Sequence, residues 1–80
     1  MNPTVKPTHP GALLLEGIVD SGLNVKNMAE DIQVPASTFY AVTKGQRPIS
    51  PSLAVRIGHY FGTTPEYWVN LQADYELRIA

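Results

Sequence analysis

Eighty residues carrying seven acidic and six basic side chains, a net charge of −1 and no cysteine make one domain with a modest core and little room for a catalytic cleft. The 44% hydrophobic and 16% charged content is that of a chain that folds, since a disordered one is poorer in apolar residues. Lack of Cys excludes disulfides, zinc fingers and thiol catalysis, and a near-neutral total excludes coating nucleic acid by bulk electrostatics.

Residues 1–8, with Pro3 and Pro7, read as a flexible N-terminal arm, and residues 9–80 as one domain. "MNPTVKPTHPG" has no apolar stretch of signal-peptide length and no run approaches a membrane span, so a soluble cytoplasmic protein is expected. "HPG" opens a first helix with Pro10 preset for its first turn, and Leu13, Leu14 and Ile18 give its inner face. "SGLN" closes that helix at Gly22 and caps the next with Asn24, ahead of Val25 to Ile32. "QVPA" breaks the chain before a third helix from about Pro35 to Lys44, stopped by Gly45. In "RPISPS", Ser50 caps and Pro51 takes the first position of a fourth helix. Its Leu53, Ala54, Ile57, Tyr60 and Phe61 share one face, and Gly62 ends it. "TTPE" repeats the signature and launches a last helix from about Pro65. Five helices with short connections, and no strand pattern, predict an all-α bundle.

Within it, "AEDIQVPASTFYAVTKG" joins two helices abruptly. Ala29 is small where a second helix must cross closely, while Met28, Ile32, Val34, Phe39 and Val42 supply the apolar side of that crossing. Such a pair is a helix-turn-helix, whose second helix presents its outer face to the DNA major groove. Ala36, Ser37, Thr38, Tyr40 and Ala41 form the candidate reading face, with Lys26, Lys44 and Arg47 placed for phosphates. Gln33 occupies the turn position that favours a left-handed backbone, at a cost on the order of 1 kcal/mol. Two antiparallel bundle helices with a polar outer face would read similarly. Base edges are best met by Arg, Lys, Asn and Gln, none of which this face carries, so its specificity would lean on Ser37, Thr38, thymine methyls and DNA shape.

Charge is unevenly spread. From Asn24 to Arg56 four bases (Lys26, Lys44, Arg47, Arg56) outnumber two acids, whereas residues 66–80 set Glu66, Asp74 and Glu76 against Arg78 alone. In the last helix Trp68, Leu71, Tyr75 and Ile79 define a core-facing stripe, and Val69, Ala73 and Leu77 lie roughly 100° to 180° around it. A second copy of the same helix would cover those three, giving a homodimer. Scattered exposed apolars are the alternative. His9 and His59 have no Cys or carboxylate companion at ligand spacing, so capping or surface roles are expected and no metal. Adjacent Glu30 and Asp31 point about 100° apart with no nucleophile in view. No catalytic residue, enzyme activity or cofactor is expected.

The segments "HPGALLLE", "MAEDIQVPASTFYAVTKGQRPIS" and "RIGHYFGTTPEYWVNLQADYELRIA" together resemble the HigA/VapI family of antitoxins, with "YFGTTPEYWVNLQADYELR" the most specific part. The resemblance runs from His9 to Ala80 and implies a five-helix, lambda-repressor-like domain with a helix-turn-helix. It further implies a dimer that binds operator DNA, represses its own operon and neutralises a HigB/RelE-like, mRNA-cleaving toxin. Ala12 stands where the family usually has an acidic residue, and Gln33 where it usually has Gly. A stand-alone repressor, or a protein-interaction module that has lost DNA binding, are the alternatives.

Overall fold

A computed structural model describes residues 7–80. Most of the expected N-terminal arm, residues 1–6, lies outside the described residues. Five helices follow: α1 (Pro10–Asp20), α2 (Val25–Asp31), α3 (Ala36–Thr43), α4 (Pro51–Phe61) and α5 (Pro65–Ile79), with no strand among the described residues.

Local side chains start four of the five. Asn24 Oδ1 accepts from the Asn27 N–H (2.8 Å), Ser50 Oγ from Leu53 (3.2 Å) and Thr64 Oγ1 from Tyr67 (3.2 Å), each satisfying one of the donors that a helix start leaves open. His9 does the same for α1, its Nδ1 accepting from the Gly11 N–H at 2.9 Å. Only α3 begins without a side-chain cap, at Pro35, so its start depends on tertiary packing.

That packing is tight. Ala29 is fully buried at the α2–α3 crossing, and Phe39, Leu14, Ile18, Met28, Ile57 and Val42 fill the centre. Gly11 lies so close to α3 that a Cβ there would overlap the Val42 carbonyl. Leu13 departs from the expected inner face: it is 38% exposed, because a residue adjacent to buried Leu14 is turned about 100° from it. On α5, Trp68 is buried and Leu71 and Tyr75 are half-buried, but Ile79 is 56% exposed. The helix outruns the core there. The buried position one turn beyond Trp68 is instead Gln72, whose Oε1 accepts from the Ile49 N–H (2.9 Å) and whose Nε2 donates to Glu76 Oε2 (3.0 Å). With both ends of its amide partnered, burial of this polar group carries no desolvation deficit.

Between α2 and α3 the backbone turns through Gln33 at φ 62°. Val34 N–H donates to the Ala29 carbonyl (2.9 Å) and Gln33 N–H to that of Glu30 (3.2 Å), so the turn is hydrogen-bonded although a side chain is strained there. Gln33→Gly should stabilise the domain by about 0.5–1 kcal/mol, the relief of a left-handed side-chain clash minus the greater freedom of unfolded glycine. A urea midpoint that rises at unchanged slope is the expected readout, and a midpoint that falls would show that the side chain compensates its own strain.

Candidate nucleic-acid interface

On α3, Ser37 and Tyr40 are exposed, and Thr38 and Ala41, on the flanks beside the core-facing side, are half-buried. Tyr40 keeps 41% of its surface open to solvent. Lys44 is exposed at the end of the helix and Lys26 in the first turn of α2. All six are at least partly open to solvent. Ala36 corrects the sequence reading, since it is half-buried and packs against the core from the first turn of α3. Its methyl group serves the α2–α3 crossing. Arg47 is likewise more than a free cation: its Nη1 approaches Thr38 Oγ1 at 3.5 Å, a long contact that lays the guanidinium along α3.

Arg47 and Thr38 also line a concavity of about 280 Å³ with Val34, Ser52 and Arg56. Its apolar floor and two guanidinium walls suit an anionic group held beside α3. In the sequence Arg56 stands out only as a positive charge. Its position on α4, opposite buried Leu53, Ala54 and Ile57, was the available signal that it faces outward. Arg56 Nη1 donates to the Ile32 carbonyl (2.8 Å), and one turn later the Tyr60 hydroxyl donates to Asp31 Oδ2 (2.9 Å). That hydrogen bond, with smaller contributions from burial and from the Asp31 charge, raises the Tyr60 phenol above its usual range.

His9 supports the other end of α3. A Cβ on left-handed Gly45, just past the helix, would sit 3.4 Å from that of His9, and the imidazole meets the Tyr75 ring edge-on at 4.9 Å. Burial lowers its pKa from 6.5, against a weaker opposing pull from Glu76. The folded state thus favours the neutral ring, whose Nδ1 is the cap acceptor. Its stabilisation is present above about pH 6.5 and is lost as pH falls from there through the lowered folded value. His9→Asn, which caps without titrating in this range, should therefore lose less stability between pH 7 and pH 5 than the parent, by paired urea melts. Equal losses would show that His9 does not govern this dependence.

The three residues expected to face a second copy divide. Ala73 is exposed and Leu77 is 76% exposed, but Val69 is half-buried against the core. Val69 is therefore largely occupied within the monomer. Beside the exposed stripe, Asp74 and Arg78 form an ion pair at 2.9 Å with both side chains more than half open to water, a contact worth little to stability. No helix among the described residues is long and apolar enough to cross a membrane, and no group of three potential metal ligands occurs among them.

No family model matches the chain. Its fold superposes on an addiction module antidote protein of the HigA family from Coxiella burnetii with a TM-score of 0.89 at 34% identity, over 95% of this chain and 84% of that one. The Pseudomonas aeruginosa antitoxin HigA, solved with the higBA promoter, gives 0.86 at 36% identity over 90% and 79%. Among curated proteins, virulence-associated protein I of Dichelobacter nodosus is 33% identical over 73 residues, covering 90% of this chain and 68% of that protein. This chain belongs to the HigA/VapI family of helix-turn-helix antitoxins. YbaQ, an HTH-type transcriptional regulator of Escherichia coli, is 35% identical over 75 residues, and the chain spans 66% of its length. The five-helix, lambda-repressor-like fold expected of a HigA/VapI protein is the fold observed. The resemblance assigns Gly to the position of Gln33, and the positive φ there supplies the physical reason.

Proposed function

We propose that this protein is the antitoxin of a type II toxin–antitoxin pair. As a homodimer joined through α5 it binds the operator of its own promoter, and it neutralises a HigB/RelE-like toxin that cleaves mRNA in the cytoplasm. The observation that carries the reading is the likeness, through most of both chains, to a HigA antitoxin solved with its promoter, together with an outer α3 surface free of core duties at Ser37, Thr38, Tyr40 and Ala41.

In this reading Ser37, Thr38, Tyr40 and Ala41 face the major groove, and Lys26, Lys44 and Arg47 meet phosphates, which fix register without carrying base identity. Ala73 and Leu77, with the exposed edge of Val69, contact the second copy. The chain acts by binding, with no catalytic group and no cofactor. Co-expression with the product of the adjacent gene tests the toxin half: co-purification and rescue of growth support it. A toxic neighbour that is neither bound nor neutralised would leave a stand-alone repressor.

A further inference from the structure

Operator reading by a two-fold dimer requires that the angle between the dimer helix and the reading helix be fixed, because both reading helices must reach successive grooves together. In this fold the connection is indirect. Among the described helices α1 touches both α3 and α5, α2 touches α3, and the α4 backbone comes close only to α5. Apolar packing of Leu53, Ala54 and Ile57 links α4 to the shared core, but such burial is non-directional and tolerates rotation. Hydrogen bonds do not. Besides the Ile49 N–H to Gln72 Oε1 bond, which ties α5 to the segment after α3, two join α4 to the end of α2, both from one edge of α4: Arg56 Nη1 to the Ile32 carbonyl and Tyr60 Oη to Asp31 Oδ2. Both end where α2 stops, on its last residue Asp31 and its C-cap Ile32, immediately before the left-handed Gln33.

We propose that Arg56 and Tyr60 are positioning residues for DNA reading, a pair of struts by which α4 fixes the α2–α3 turn and so sets the angle at which α3 meets the groove. The proposal rests on the operator-binding reading above. Gln33 strain explains the need: a turn that carries a side chain in the left-handed region holds its geometry only when its surroundings over-determine it. Arg56 caps the carbonyl that ends α2, Tyr60 holds the neighbouring carboxylate, and their spacing of four residues puts both on the same edge of α4. Arg56 also lines the concavity beside Thr38 and Arg47, so a phosphate contact is the competing role.

Tyr60→Phe separates the two, since it removes one hydroxyl and no charge, and Arg56→Met removes both donor and charge. DNA from upstream of the gene is titrated by fluorescence anisotropy at several salt concentrations. Companion probes carry one base pair inserted or deleted between the half-sites. Both variants should keep a parent-like melting temperature within a few degrees, bind the native spacing about tenfold more weakly, and lose most discrimination against altered spacing. A merely structural loss would weaken all spacings alike. Overturning results are an unchanged spacing preference in Tyr60→Phe, or an Arg56→Met whose only change is a salt slope smaller by about one, the mark of a lost phosphate contact. Hydrogen exchange on the free protein gives an arm independent of DNA: the Gln33 and Val34 amides should exchange faster in both variants. Unchanged exchange removes the struts even if the parent binds its operator, while a parent that binds no DNA, with faster exchange in the variants, removes the operator reading and leaves the turn restraint standing.

Discussion

Ala41→Glu is expected to abolish operator binding, lowering affinity by at least about a hundredfold at physiological salt. The residue is half-buried on the outer side of α3, one turn beyond Ser37 and beside exposed Tyr40, and in the proposed operator complex its small methyl group would let the helix sit deep in the groove. A carboxylate there would meet the wall of phosphates with no base to neutralise it, and the long side chain would hold the helix out of the groove. Glu is a good helix former, so the fold should survive. Thr38→Ala, by contrast, removes one hydroxyl and should weaken binding modestly, about tenfold or less. Footprinting of the upstream promoter, with circular dichroism as the control for folding, checks both. If Ala41→Glu protected the site as well as the parent does, this helix would not be the reader and a protein-interaction role for the domain would take its place.

The caps, the prolines at helix starts and the glycine stops were legible because each acts within a few residues along the chain. Asn24, Ser50 and Thr64 form the hydrogen bonds their positions imply, and Gln33 adopts the left-handed backbone that the spacing between the two helices demands. Period was legible only on average. It placed Leu14, Ile18 and Ile57 in the core but also drew in Leu13 and Ile79, since an apolar side chain at the margin of a stripe does not say how far the neighbouring helix extends. Contacts that join distant segments were not legible at all. Nothing local distinguishes Gln72 from a solvated glutamine until the Ile49 amide arrives beneath it, and nothing marks Arg56 as a partner of Ile32 across 24 residues of sequence. For the same reason Ala36 and Val69 read as outward-facing. Each lies at the edge of its helix's apolar arc, where tertiary packing decides.

Those corrections sharpen the dimer surface. With Val69 half-buried in its own monomer, the apolar side chains of that stripe left open are Ala73 and, above all, Leu77, 76% exposed. Leu77→Asp should therefore shift the protein from dimer to monomer at micromolar concentration, read by light scattering or sedimentation. In a two-fold interface every substitution enters twice, so two carboxylates would be buried against each other or left uncovered. The α5 end already carries Glu76 beside the Asp74–Arg78 ion pair, and its charge adds repulsion. Val19→Asp on α1, also an exposed apolar residue, supplies the control: it adds the same charge away from α5 and should leave the dimer intact. The consequence for DNA is larger than the loss of one contact. A reading helix with few long polar side chains gains its discrimination from two half-sites bound together, set about one turn of the duplex, roughly 10 base pairs, apart or a multiple of that. A monomer binds each half separately, so Leu77→Asp should lose about a hundredfold or more in operator affinity and all cooperativity between halves. A parent protein that is monomeric across the micromolar range, or a Leu77→Asp variant that still protects a full palindrome, would move the dimer contact away from α5.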